Sequence, residues 1–509
     1  MKKIKKLMIS LIIVLSVLSP IAAYAREGDC GYEGGISAMQ ATYNSKKKVS
    51  FEYKEVCFVS GEPIVFKGTL TIDKSLKKDK LTTKYEYDLE NTDKSATLER
   101  SLELVTTLTK KDNGQTIEET SLGKKPTETI NIGDSTYTID SFDFTRSNLI
   151  DAKPAINYFA GNTWSKKVYQ TGTGTESGKV TVEATGSFYG YDQYWGTAEV
   201  QTINYLIQSE GTDKWGGSAS VVLSSSTTKQ LKFIENEPSP ISFEGGYLET
   251  QYDNSIMEYT CKLPEFDHNG ISTDNVVALS GSLKTESFPV QTRLPVPDTS
   301  SVRGHWAEND IKMLYSLEIL QGDGTDFNPD KYITRAEFTQ AFVQAAKEVP
   351  PDPALASKTS TSSRTRRNTK DTVVSPFDDV STESMYFASI ESAFKRGLVT
   401  GKNGNNFVPN GTITVADAVS IFIRAMGLES RAPGTNAVTT FRDNDEIPEH
   451  ARNAVYVAEK IGLIKGDDRG YLKPNENLTK ARAAVLINRF VKYMREDIRK
   501  DYREAIVNF

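Results

Sequence analysis

The chain has 509 residues, of which 38% are hydrophobic and 25% charged, and its formal net charge is −6. That composition is ordinary for folded protein and excludes bulk disorder, while the length calls for about two to four domains. A mildly acidic chain with no large basic block is not built for nonspecific grip on a phosphate backbone, so no nucleic-acid partner is expected.

The N-terminus reads as an export signal. Lys2, Lys3, Lys5 and Lys6 precede an apolar run from Leu7 to Leu18, which Ser19 and Pro20 break. Ala23-Tyr24-Ala25 then offers small residues at the two positions a signal peptidase reads, so residues 1–25 are taken as a signal peptide cut after Ala25. A span needs roughly 20 apolar residues. This run stops short before Arg26, Glu27 and Asp29, and no second one follows, so no membrane association is expected after cleavage.

Export permits disulfides, and of Cys30, Cys57 and Cys261 the first two are the pair placed to staple the start of the mature chain. The histidines, His268, His305 and His450, are scattered, and neither an HExxH nor a CxxC spacing occurs, so no metal or other cofactor is expected.

Residues 26–297 read as strands. Val49 to Tyr53, Phe66 to Ile72, Lys84 to Leu89 and Gly178 to Ala184 alternate with a period of two. Ser60-Gly61, Asn113-Gly114 and Gly245-Gly246 supply turns. The expectation is an all-β, sandwich-like region, in one module or two. The aromatic segment Phe188 to Gly196 is read first as sheet filling; the sharper reading is a sugar-binding surface, because flat rings meet the apolar faces of sugars. Glu244, Glu265 and Asp267 could be cast as glycosidase carboxylates, but their spacing in sequence does not show two carboxyls across a cleft, and no catalytic residue is assigned.

Alternate prolines at Leu294-Pro295-Val296-Pro297 end the β region, and beyond them one pattern occurs three times. Its first occurrence contains Ile319-Leu320, Gly322, Phe327-Asn328-Pro329 and Ile333-Thr334-Arg335-Ala336-Glu337. The second contains Gly397-Leu398-Val399, Gly401, Phe407-Val408-Pro409 and Ile413-Thr414-Val415-Ala416-Asp417. The third contains Gly462-Leu463-Ile464, Gly466, Leu472-Lys473-Pro474 and Leu478-Thr479-Lys480-Ala481-Arg482. From Gly322, Gly401 and Gly466 to the next threonine is 12, 13 and 13 positions, which marks a tandem repeat.

Each repeat reads as two helices. The position after the first helix suits a left-handed turn, although Glu318 stands where the other repeats have Gly397 and Gly462. The threonine caps the second helix, and Glu337, three residues after Thr334, completes a capping box. Repeat three has Arg482 at that place, where its charge opposes the helix N-terminus. The repeats are bounded at 303–349, 375–430 and 438–493. A Ser/Thr/Arg-rich flexible linker occupies 350–374 and a tail 494–509.

The order His305-Trp306-Ala307, Gly322, Phe327, Pro329, Ile333-Thr334-Arg335-Ala336-Glu337 resembles the S-layer homology repeats of bacterial envelope proteins. The resemblance covers about 303–493 and leaves 26–297 unassigned. It implies a pseudo-threefold helical prism with grooves between neighbouring repeats. It also implies noncovalent attachment to anionic secondary cell-wall polymer, often pyruvylated, at the cell surface, with S-layer or other envelope proteins as neighbours. By that resemblance Arg335, and Lys480 with charge but no fork, would meet the polymer's anions, whereas Val415 could not. Gly322, Gly401 and Gly466 would let backbone amides approach, Thr334 and Glu337 support the groove, and Trp306 is expected to serve the core rather than the ligand. The whole chain then reads as a noncatalytic surface protein, with a wall-anchored enzyme acting on polysaccharide or peptide, or an adhesin or carbohydrate-binding module, as the alternatives.

Overall fold

The computed structural model describes residues 34–37, 42–43, 48–172, 178–211, 213–235, 245–268, 270–286, 288–322, 324–349, 374–402, 404–434 and 437–507. The expected signal peptide, Cys30, Glu244 and all of the expected linker except Val374 lie outside these residues.

The alternating segments of the β region pair in near-sequential order. The described strands, from Ile36–Ser37 to Val290–Pro295, make one 16-stranded antiparallel sheet in which most strands lie beside their neighbours in sequence. This corrects the two-sheet expectation: a single sheet rolls until its first strands face its last. Lys54 Nζ donates to the Lys284 carbonyl at 2.9 Å, and the Phe58 ring lies 5.7 Å from Tyr205 and 6.0 Å from Tyr259. One core therefore fills the interior, drawing Tyr53 and Phe66 from early strands and Ile207 and Met257 from late ones. Period-two alternation defines which face is buried, but how many sheets share that core depends on curvature, which alternation does not encode.

Among these apolar side chains sits a buried polar knot. Arg100 donates to Glu55 at 2.9 and 3.0 Å and to Glu128 at 2.8 Å. Lys167 also donates to Glu128, at 2.8 Å, and the Tyr169 hydroxyl donates to the same carboxylate at 3.0 Å. Burial alone would push the Glu128 carboxyl up, but Arg100 and Lys167 outweigh it and hold it at about 2. The two carboxylates and two cations balance, as burial at this depth demands.

The C-terminal part is helical. Its helices are α1 (Glu308–Ser316), α2 (Arg335–Ala345), α3 (Phe387–Lys395), α4 (Val415–Met426), α5 (Glu449–Lys460), α6 (Lys480–Lys492) and α7 (Ile498–Val507). A π-helical turn, Tyr493–Asp497, joins the last two. The second helix of each repeat (α2, α4, α6) sends a phenylalanine inward: Phe342, Phe422 and Phe490 lie 5.1, 5.1 and 5.5 Å apart in pairs. All three are essentially inaccessible, and they tie the repeats into one core.

The two parts are fused through the same core. Tyr158, Tyr191 and Trp195 of the sheet pack with the helices. Two side chains from this end of the sheet donate to a carbonyl at the end of a repeat's second helix, Trp195 Nε1 to Ala345 at 2.9 Å and Tyr158 Oη to Met426 at 3.0 Å, and Gln193 Nε2 donates to Met494, in the π-helical turn after α6, at 2.6 Å. Helix C-termini leave carbonyls without intrahelical partners, and here the sheet satisfies them. Arg396 adds a bond to the Pro154 carbonyl at 2.5 Å and Arg495 one to the Lys229 carbonyl at 3.0 Å. The prolines at 295 and 297 therefore mark a change of element and not a loose tether.

Candidate functional site

The three repeats meet in a cyclic arrangement built from backbone groups. Thr334, Thr414 and Thr479 each cap their helix, accepting from the amides of Glu337, Asp417 and Arg482 at 3.2, 3.2 and 3.3 Å. The Glu337 carboxylate accepts the Thr334 amide at 2.9 Å, completing the expected capping box. The next two amides of each helix go to the following repeat. Arg335 and Ala336 donate to the Gly411 and Pro409 carbonyls at 2.7 and 3.0 Å. Val415 and Ala416 donate to Glu476 and Pro474 at 3.1 and 3.0 Å, and Lys480 and Ala481 return to Lys331 and Pro329 at 2.8 and 2.9 Å. Isolated bridges repeat the cycle: Thr334 with Thr412, Thr414 with Asn477, Thr479 with Tyr332. Repeat one thus docks on two, two on three, and three on one.

This explains the spacing of the sequence motif. The Pro of each Phe/Leu-x-Pro turn presents its carbonyl to the orphan amide of a neighbouring helix, a role that the repeat pattern signals but does not reveal. Two residues that sequence reasoning passed over hold those turns. Asp379 accepts from the Phe407 and Val408 amides, both at 2.7 Å, and Asp443 from Leu472 and Lys473 at 2.9 and 2.6 Å. Val408 and Lys473 stand at φ 61° and 60°, conformations that bulky L-residues avoid and that these bonded turns enforce. An acid 28 or 29 positions before the Phe or Leu of these two turns was the available signal.

The motif positions fall at the junctions. Arg335 is buried, 9% exposed, and reaches into repeat two. Its Nε donates to the Phe407 carbonyl at 3.0 Å and its Nη2 to Thr400 at 3.3 Å, with the guanidinium 4.7 Å from the Phe407 ring centre. Burial lowers its pKa, while Asp417 and Asp379 counteract that. Its bonded partners are neutral carbonyls. Lys480, at the junction of three and one, donates to Glu337 at 2.7 Å and lies 5.8 Å from the Phe327 ring centre. Burial pushes the Glu337 carboxyl up, and Lys480 with the Thr334 cap outweighs that and holds it below the usual range. At the remaining junction the corresponding positions are Val415, which is buried, and Arg482, which is paired with Glu476 at 2.7 Å within its own repeat. Val415 and Arg482, both departures from the repeat pattern, therefore fall at one junction.

Trp306 corrects the sequence reading. It is 65% exposed, beside His305, while Ala307 behind it fills the core. Met385, at the equivalent place in repeat two, is 70% exposed, and Tyr332 is 56% exposed. Of the motif glycines, Gly322 uses φ 101°, whereas a Cβ on Gly401 would stand 2.5 Å from the Gly404 carbonyl oxygen. Gly466 packs similarly against Gly470. The left-handed position after each first helix is present in all three repeats: Gly397 and Gly462 at φ 69° and 74°, and Glu318 at 57°. An open depression of about 580 Å³, lined by Arg303, His305, Phe327 and Asp330, lies beside Lys480's aromatic neighbour.

Elsewhere the sequence candidates disperse. In the aromatic segment Phe188, Tyr191 and Trp195 are buried, the last two against the helices, while Phe188 and Tyr189 edge a pocket of about 650 Å³. Asp267 accepts the Ile271 amide at 3.0 Å within its hairpin turn, and Glu265 accepts from Asn275 at 3.0 Å. Burial drives the Cys57 thiol up to about 12, and Cys261 is a core residue. Among the described residues no group of His, Cys, Asp and Glu is arranged to hold a metal, and no helix is long and apolar enough to cross a membrane.

Comparison with known proteins agrees with the cyclic helical unit. The S-layer homology domain family matches at residues 298–339, 376–419 and 440–484, so the chain carries three S-layer homology domains. Its relatives include an amylopullulanase of Thermoanaerobacterium thermosulfurigenes, 31% identical over 191 residues, covering 37% of this chain and 9% of the relative. Exoglucanase XynX of Acetivibrio thermocellus is 30% identical over 300 residues, with 56% and 25% covered. The surface-layer 125 kDa protein of Lysinibacillus sphaericus is 25% identical over 208 residues, with 40% and 16% covered. The chain thus spans a quarter or less of the length of these relatives.

Proposed function

We propose that the three S-layer homology domains close into a pseudo-threefold prism that holds this protein noncovalently to anionic secondary cell-wall polymer, after export directed by residues 1–25. The β region is then the noncatalytic cargo, displayed outward among S-layer or other envelope proteins. The observation that carries this reading is the cyclic docking of each second helix on the next repeat's Pro turn, which leaves Trp306, Tyr332 and Met385 exposed around the junctions. Arg335 supports it further by placing a guanidinium at the first junction whose hydrogen bonds go to neutral carbonyls, although the charges of Asp417 and Asp379 also act on it. Lys480 is the weaker anion site, since a polymer carboxylate must compete with Glu337.

The test is co-sedimentation of the mature chain, residues 26–509, with purified walls before and after the polymer is stripped. Retention that falls on stripping, and falls again in Trp306→Ala and Arg335→Lys variants of unchanged melting temperature, is the expected result. Equal pelleting on intact and stripped walls overturns the proposal.

A further inference from the structure

A cavity lies at the end of the rolled sheet remote from the helices. Consecutive antiparallel strands reverse direction, so Lys153, Ile156, Gln193 and Gly196 lie toward the helices while Asp134, Thr171, Gly172, Gly178, Glu210 and Phe266 gather at the opposite end. The cavity they line is about 1060 Å³. Mouths of rolled sheets are common ligand sites because the strands fix the walls and the turns supply the chemistry.

The walls are set before any ligand arrives. Trp215 and Phe266 meet edge to face, 6.2 Å between ring centres. Gly61, at φ 81°, makes room for them: a Cβ there would lie 2.6 Å from Phe266 and 3.3 Å from Trp215. The Trp215 loop is tied back by the Ser209 amide donating to its carbonyl at 2.8 Å, and the Asp213 carboxylate accepts the Ser272 hydroxyl at 2.5 Å. Tyr137 adds a third ring to the lining.

The chemistry of the lining excludes most ligand classes. It contains five carboxylates and, among the described residues, no Lys, Arg or His, so an anionic chain such as the wall polymer is repelled. The acids do not form a bare negative well either. Glu62 pairs with Lys94 at 3.1 Å, and Asp213 and Asp267 accept from Ser272 and Ile271. What remains is a mixture of acceptors (Asp134, Glu210) with groups that both donate and accept, such as Thr171 and Gln170. Sugar hydroxyls also do both, and the C–H faces of a pyranose fit flat aromatic rings. We propose that this cavity binds a short segment of neutral glycan, at a site separate from the helical repeats.

Isothermal titration calorimetry on the chain 26–509 tests this with cellohexaose, xylohexaose and chitohexaose, alongside hexalysine and trigalacturonate. The expected result is saturable binding of at least one neutral hexasaccharide, no binding of trigalacturonate, and a loss of roughly tenfold or more in affinity in Trp215→Ala. A doubly substituted variant, Asp134→Asn with Glu210→Gln, alters exposed turn residues only and keeps the question answerable if Trp215→Ala does not fold; it too should weaken binding. Absence of binding at millimolar sugar, undiminished affinity in the variants, or binding of hexalysine in place of sugar overturns the proposal. Wall retention of the same variants stays at the wild-type level, which separates this failure from a failure of anchoring.

Discussion

The β region and the helical repeats solve the same closure problem with different forces. The sheet closes by rolling, and it places a charged knot, Arg100 with Glu55, Glu128 and Lys167, among the aromatic and aliphatic side chains that its early and late strands bring together. The repeats close by handing orphan helix amides to a neighbour's Pro turn and by stacking Phe342, Phe422 and Phe490 at the centre. Ladder hydrogen bonds cannot by themselves distinguish one roll of a sheet from another, so a directional ionic contact between distant strands adds specificity there. Helix ends carry unpaired polar groups of their own, and satisfying them across repeats already fixes the partner and the order. The lesson is that each architecture is locked where its own backbone leaves freedom.

Breaking each lock sharpens the contrast. Arg100→Ala strands the buried Glu55 carboxylate and leaves Glu128 to Lys167 and Tyr169; it should cost about 3–5 kcal/mol in urea unfolding, the largest effect expected of any of these substitutions. A loss under about 1 kcal/mol would mean the knot does not brace the roll. The same knot sets an acid limit. The folded Glu128 carboxyl is held at about 2, below the unfolded range near ~4.3, so its contribution is full above that range and is lost as pH falls toward about 2. The gap in melting temperature between wild type and Glu128→Gln should accordingly narrow across that window, corresponding to on the order of 3 kcal/mol. A gap independent of pH would contradict the assignment.

Changes at the helical side should be smaller. Trp195→Phe removes the indole donor from the Ala345 carbonyl and should cost about 1–2 kcal/mol, splitting one calorimetric transition into two if the caps hold the halves together. A single transition at the wild-type temperature would show that the contact is incidental. At the bottom of the scale, Glu318→Gly should stabilise by about 1 kcal/mol, because Glu318 sits at φ 57° where the sister repeats have glycine. That gain is absent if other repeat-one contacts depend on the Glu318 side chain.

Much of this was legible in residues that act locally. The Thr334–Glu337 capping box lies within one helical turn, and spacing alone announced it. The left-handed position at 318, 397 and 462 was readable from two glycines even though repeat one departs from them. Arg335 was picked out by its motif, but its immediate partners, Phe407 and Thr400, are supplied by another repeat and were not. Trp306 was misplaced because a tryptophan at a helix start suits a core, and only the packing of Ala307 shows which of the two is turned inward.

By itself, then, the amino-acid order determined the elements, the caps, the threefold repetition and the split between a strand-rich and a helical part, since these follow from periodicity and from contacts a few residues apart. Tertiary structure decided whether the β region was one rolled sheet or two stacked ones, which aromatic residues were buried under helices and which line an open cavity. Phe188 to Trp195 drew attention because its rings are close together in the chain, whereas Trp215 and Phe266 are far apart in it and meet through the pairing of strands Gly216–Ile234 and Gly246–Phe266, with Tyr137 reaching the same cavity. Curvature and docking are sums over many distant contacts, and no local pattern records them.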